Sequence, residues 1–330
     1  MPYFFTPLRA VTTLVLSAAA LASHAADWLP TQQINFVVPV AAGGTVDLYA
    51  RGIKAVAESH KLLNGQTMLL ENKGGAGGAI ALRELTRNPE NAHYLSTFHT
   101  GFLAGAVTGA LKMDIRELTP VAMLVEEVTV VAVPASSPIK TGMDLVNALK
   151  RDPTSLRIAV APALGQNIHL AIAKPLKVAG VNVKQLTVAP FRSSGESVTA
   201  LLGSHVDVVS ATAPVLLPHL ESGKLRAIAV ATPQRGGGAL ASVPTWREQG
   251  VPADYVSYSG VFLPPGLNVD KIRYWEDTLR KVSQSKEWIA LVERAGGRPI
   301  FRGYVESHRY MLSEWQATRE LAATLGLETF

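Results

Sequence analysis

The chain has 330 residues, with 31 Lys and Arg against 26 Asp and Glu, a formal net charge of +5 and no cysteine. The lack of cysteine excludes disulfides, thiolate nucleophiles, iron–sulfur clusters and cysteine-based zinc sites. With no Lys/Arg run, the mild basic excess gives no reason to expect DNA or RNA binding. About 300 residues is commonly two domains, enough for a core-held fold that buries roughly 75% of the unfolded surface.

Residues 1–25 hold one charge, Arg9, then an apolar stretch from Ala10 to Ala22, and end in Ser23-His24-Ala25. This is the layout of a secretory signal peptide, with cleavage expected after about Ala25. The stretch is shorter than the ~20 residues of a membrane span, and a lipid-anchored form would need a cysteine at the cleavage point. An exported, periplasmic protein is expected.

Beyond the leader, strand and helix signals alternate. Ile34–Val40 is short and β-branched, as a strand buried on both faces would be. It breaks at Ala41-Ala42-Gly43-Gly44, and helical spacing resumes over 46–59 with Val46, Tyr49, Ala50 and Ile53 inward and Thr45 as a candidate cap. A strand, a tight Gly turn and a helix N-terminus leave free N–H groups at the positive end of a helix dipole, which suits an anion. On pattern alone, a plain turn and a binding loop both fit Gly43-Gly44. Asp47 reads either as dipole support for its helix or as a group that fixes the loop.

Thr67–Glu71 is the next strand, followed by Gly74–Gly78 and a helix to about Arg87. Tyr94–Phe98 is a short strand, and Thr119–Val133 contains a long extended run. Leu156–Ala161, Val183–Val188, Val206–Ser210 and Leu225–Thr232 read as strands separated by helices. The end of the chain reads as helices near 268–284, 286–295 and 303–325. The alternation predicts an α/β fold with mostly parallel sheets. Extended segments at Val125–Pro134 and Val256–Pro265 look like crossovers. They divide the chain into one lobe of 26–126 plus 258–330 and a second of 127–257, with a cleft between them.

Motifs for chemistry are sparse. Gly75 and Gly77 lack the third glycine of a dinucleotide fingerprint, because Ile80 stands there, and no phosphate-binding P-loop occurs. The histidines have no metal-binding spacing. No G-x-S-x-G elbow is present, and Ser193-Ser194-Gly195 has no paired His–Asp pattern. No cofactor is expected.

The residues then carry a resemblance. Pro39 to Asp47 follows the pattern P-F-x-P-G-G-[ST]-x-D, and Glu71 to Gly78 follows E-N-[RK]-P-G-A-G-G. Val188 to Ser193 looks like V-P-Y-K-G, and Leu201 to Asp207 is similar to L-L-G-G-x-V-D. Ser222 to Ala227 and Val243 to Gly250 resemble A-G-K-L-R-A and V-P-T-x-x-E-x-G. Six motifs in order, over essentially the whole mature chain, resemble the periplasmic solute-binding proteins of tripartite tricarboxylate transporters, the Bordetella uptake gene (Bug) type.

The resemblance implies a two-lobed type II periplasmic binding protein, a Venus flytrap that closes on a small carboxylate and delivers it to membrane permease subunits. It implies a monomer without chemistry of its own. Backbone N–H groups of the first loop, at Ala41, Ala42, Gly43, Gly44, Thr45 and Asp47, would hold one carboxylate end. Leu164, Gly165, Gln166 and Asn167 of the second-lobe loop would hold the other, with Thr100 and Gly101 lining the side. Phe191, Asp207 and Tyr258 complete the candidate binding residues, although Phe191 and Tyr258 also read as packing and His169 as a group that fixes its loop. Arg192 and Lys73 read as lobe surface.

The second-lobe loop departs from the family pattern G-S-x-G-x-G-S-x-x-H-L. Ala161 and Gln166 replace serines, Ala163 replaces a glycine, and Leu164 adds apolar surface. Fewer hydroxyls favour a less polar ligand, an aliphatic or aromatic mono- or dicarboxylate. An exported hydrolase on the same scaffold and a ligand sensor without transport are the alternatives.

Overall fold

The structure is a computed structural model that describes residues 28–327. The expected leader and its cleavage point lie outside the described residues. The chain alternates through β1 (Ile34–Val38), α1 (Thr45–Ser59), β2 (Met68–Asn72), α2 (Ala79–Arg87), β3 (Tyr94–His99) and α3 (Thr100–Val107). Next, β4 (Thr119–Glu127) leads through Val128 into β5 (Thr129–Pro134), α4 (Gly142–Arg151), β6 (Arg157–Val160), α5 (Asn167–Val178) and β7 (Thr187–Pro190). The second half holds α6 (Ser194–Leu202), β8 (Val208–Thr212), α7 (Ala213–Glu221), β9 (Leu225–Val230) and β10 (Ser257–Leu263). It closes with α8 (Val269–Gln284), α9 (Lys286–Arg294), β11 (Arg298–Arg302) and α10 (Tyr304–Thr324).

Two sheets form two lobes. The first has strand order β11-β4-β10-β3-β1-β2 and the second β7-β6-β8-β5-β9. The first draws its strands from 34–127 and 257–302, and the second from 129–230. Both sheets are mixed, which corrects the expectation of mostly parallel pairing. β1 runs parallel to β2 and β3, and β6 to β7 and β8. β10 is antiparallel to β3 and β4, β11 to β4, and β5 to β8 and β9. The reason is the crossovers. β5 and β10 each enter a lobe from the cleft, so they run against the strands that head toward it.

Other departures are local. Val183–Gln185 is a 3-10 turn, and strand pairing begins only at Thr187. The helical reading of the C-terminal region missed β11, an edge strand whose Pro299 is tolerated because an edge position needs fewer backbone donors. Gly44, not Thr45, is the N-cap of α1.

Helices cover both faces of each sheet. In the first lobe, α1, α8 and α9 bury Tyr49, Ile53, Trp275, Leu279 and Trp288 against one face, and α2, α3 and α10 bury Leu82, Leu103, Met311 and Trp315 against the other. The C-terminal helices thus pack back across the first lobe. In the second lobe, α4 and α5 pack Leu145, Leu149 and Ile172 on one face, and α6 and α7 pack Val198, Leu201 and Leu216 on the other. This leaves the strand-to-helix loops of β1, β3, β6 and β8 at the edge where the lobes meet. Among the described residues, no helix is long and apolar enough to cross a membrane.

Candidate functional site

The β1–α1 loop is built from inside. Gly43 adopts φ +92°, a left-handed conformation that a side chain would strain. Its N–H donates to Asp47 Oδ2 at 2.9 Å, and Arg51 Nε donates to the same oxygen at 2.9 Å. Asn72 Nδ2 donates to Asp47 Oδ1 at 2.8 Å and also to the Val40 carbonyl at 3.1 Å. Asp47 is only 2% exposed. Burial works to raise its carboxyl, but the hydrogen bonds from Arg51, Gly43 and Asn72 overcome this and hold it below the ordinary value. Asp47 therefore fixes the loop and takes the Gly43 N–H for itself. The first turn of α1 has no side-chain cap, so its remaining N–H groups are open to an incoming acceptor.

Ala42, Gly43, Gly44, Thr45 and Asp47 line a cavity of about 530 Å³. Leu48 and Arg51 add to the same wall, and Pro214 and Val215, at the start of α7, form the opposite one. A Cβ added at Gly43 or Gly44 would meet nothing within 4 Å, so the loop backbone faces open space. The second wall was not anticipated. Its sequence signal is Thr212-Ala213-Pro214, a strand end with proline in the first helical turn. Ala41 lies beside the glycine loop, close enough that a Cβ on Gly74 would approach its nitrogen at 3.2 Å.

The other candidates fall elsewhere. The Ala161–Asn167 loop seats on α3: a Cβ at Gly101 would come within 2.8 Å of Asn167 Oδ1, one at Gly105 within 3.3 Å of Gln166 Nε2, and one at Gly165 within 2.8 Å of Thr108. Asn167 Nδ2 donates to Ser257 Oγ at 3.3 Å. Gln166 and Asn167 are thus buried lobe-to-lobe contacts, and of Leu164, Gly165, Gln166 and Asn167 only Leu164 is exposed. His169 Nδ1 accepts the Gly165 N–H at 2.9 Å, and burial pushes the imidazole down to about 4, so it stays neutral and pins the loop.

Thr100 begins α3 and its hydroxyl accepts the Tyr258 N–H at 2.9 Å, while Tyr258 packs edge-on to Tyr310 with ring centres 4.8 Å apart. Both residues belong to the packed base between the lobes. Phe191 packs against the second-lobe core. Asp207 precedes β8 at the end of the sheet away from the cleft, where it pairs with Arg157 at 3.0 Å. A shared motif placed it among binding residues, but the direction of β8 carries it away. A larger cavity of about 830 Å³ lies at that end. Its carboxylates are already engaged, Asp144 capping α4, Asp152 accepting from the Thr154 N–H and hydroxyl, and Asp207 bound to Arg157.

Beneath the cleft, His99, Glu127 and Ser259 meet. His99 Nδ1 accepts the Gly101 N–H at 2.9 Å, which leaves Nε2 as the donor to Glu127 Oε2 at 3.1 Å. Ser259 Oγ donates to Glu127 Oε1. Burial pushes the Glu127 carboxyl up, and the His99 and Ser259 contacts overcome it to leave it below the ordinary value. The serine donates to the carboxylate, not to the imidazole, so this arrangement does not activate its hydroxyl as a nucleophile.

A family model described as the tripartite tricarboxylate transporter family receptor matches residues 53–326. Protein BugT of Bordetella pertussis is 27% identical over 336 residues, covering 97% of this chain and 99% of that one. Among solved structures, R. palustris Rpa4515 with adipate superposes with a TM-score of 0.77 at 26% identity, covering 91% of this chain and 99% of the other. MatC (Rpa3494) from Rhodopseudomonas palustris with bound malate gives 0.75 at 25% identity, covering 89% and 99%.

Proposed function

Because the chain belongs to the tripartite tricarboxylate transporter receptor family, we propose that it captures a small mono- or dicarboxylate between its two lobes and delivers it to a membrane permease. The observation that carries this reading is the cavity between α1 and α7, walled on one side by the uncapped first turn of α1. A carboxylate there accepts charge-assisted hydrogen bonds from backbone N–H groups on a helix dipole, without a dedicated cation. Leu48, Pro214 and Val215 offer apolar contact to an aliphatic or aromatic body. The related structures solved with adipate and malate hold acids of this general kind.

Closure of the lobes would exclude water and strengthen each hydrogen bond. The ligand can favour the closed form only by its differential affinity for it. The reading places the protein in the periplasm after removal of residues 1–25, as a monomer that performs no reaction on its ligand. The test is a thermal-shift screen on protein stripped of bound ligand by unfolding and refolding. The panel holds aliphatic and aromatic mono- and dicarboxylates, tricarboxylates and amino acids. An acid at 100-fold its Kd should stabilise the protein by about 2.7 kcal/mol. A panel with no shift would overturn the carboxylate assignment.

A further inference from the structure

We infer that Glu127 sets the charge of the ligand, restricting the cleft to acids with a single carboxylate; the inference rests on the carboxylate reading above. Glu127 lies directly below the cavity: it shares a narrow internal gap with Thr45, Tyr49, Thr212 and Pro214, and Thr45 and Pro214 also line the cavity itself. Its side chain is only 3% exposed, so water screens its charge weakly.

The charges around the cleft do not balance in favour of a polyanion. Arg51 is the one cation lining the cavity among the described residues, and it is bound to Asp47. Glu126, the preceding residue of β4, is paired with Arg298 at 2.9 Å. His99, the partner of Glu127, accepts the Gly101 N–H at Nδ1 and gives Glu127 a single hydrogen bond from Nε2. Arg51 and Arg298 are thus spent on Asp47 and Glu126, and among the described residues Glu127 has no Lys or Arg partner.

The helix ends supply the attraction, and they supply it unevenly. Neither α1 nor α7 has a side-chain cap, so the difference lies in how many N–H groups each end has free. At α7, the Ala213 N–H is spent on the Val128 carbonyl at 3.0 Å, and Pro214 has no N–H to give. One strong anion position faces one weak one, with a buried carboxylate beneath both. A first carboxylate seats at α1, and a second would meet the field of Glu127 with few donors to offset it. The apolar residues Leu48, Pro214 and Val215 are better matched to a hydrocarbon body than to a second charge.

The experiment measures binding by calorimetry for pairs with one carbon skeleton, hexanoate against adipate and benzoate against terephthalate. Wild type is expected to bind the monocarboxylate of a pair at least tenfold tighter. Glu127→Gln keeps a hydrogen-bonding side chain and removes the charge, and it should lower that ratio at least tenfold. Ser259→Ala keeps the charge and removes one hydrogen bond, and it should leave the ratio in place. Equal or tighter dicarboxylate binding by wild type would overturn the inference, even where the Gln variant does not fold. An unchanged ratio in Glu127→Gln, or the same change in Ser259→Ala, would also overturn it and leave carboxylate binding intact. Failure of wild type to bind any acid would remove the carboxylate reading, and this inference with it.

Discussion

At the scale of the residue, neighbouring glycines in the first loop have different duties. Gly43 is required by its backbone: at φ +92° a side chain is strained by about 1–2 kcal/mol. Gly44 has an ordinary extended backbone with φ −85° and open space where a Cβ would point. Its smallness therefore matters to the cleft more than to the fold. Gly44→Val should lower ligand affinity at least tenfold while costing no more than about 2 kcal/mol of stability, the range for a poorer N-cap. Calorimetry and urea unfolding of the same preparation check this. Retained affinity would take the loop out of the site. Asp47 shows why such a distinction is hard to read from sequence. An acidic residue in a first helical turn always suits the dipole, and only the fold reveals that Gly43, Arg51 and Asn72 converge on it.

Among the elements, strand–loop–helix units were legible where the pattern was local. β1, its glycine loop and α1 follow from a β-branched run, a turn and a 3.6-residue apolar period. β11 was not, because Arg298–Arg302 contains a proline and no alternation, and it is a strand only because β4 offers it an edge. The antiparallel insertions of β5 and β10 depend on chain direction across the cleft, which no residue pattern encodes. The second-lobe loop illustrates the same limit for the site. Ala161–Asn167 keeps a glycine of the family pattern, and His169 just beyond it keeps the histidine, yet the loop's partner is α3, and the wall facing the first loop is α7. His169 fixes this loop by accepting the Gly165 N–H, a bond available only to the neutral ring. Its value falls from 6.5 to about 4 through burial, so between those values the unfolded chain binds more protons and stability rises with pH. Acidification through that window should cost on the order of 3 kcal/mol from this one group. His169→Gln should remove this contribution alone, which urea unfolding followed across pH reads as a change of slope relative to wild type.

At the scale of the whole molecule, a second buried group opposes that slope. Glu314 on α10 lines a cavity of about 230 Å³ between the lobes, with Lys174 of α5 on the other side. Tyr255, Tyr258 and Tyr310 face it from the crossover and from α10, and Asp254, also present, is bound by Arg247. Burial raises the Glu314 carboxyl to about 7, against the Lys174 charge and a hydrogen bond from Thr318. Here the folded state binds the extra proton, so stability is full below the ordinary carboxylate value of 4.5 and falls as pH rises toward 7. The two windows overlap between about 4.5 and 6.5, where each group contributes up to roughly 1.4 kcal/mol per pH unit with opposite sign. Wild-type stability should therefore be nearly flat across that range, although both lobes contain a strongly shifted group. Removing either group exposes the other. Glu314→Gln should give a protein that loses stability on acidification, and His169→Gln one that loses it on approaching neutrality. Urea unfolding free energies of wild type and both variants at half-unit pH intervals test the balance. Parallel profiles for the two variants would show that burial of these groups does not control the acid response.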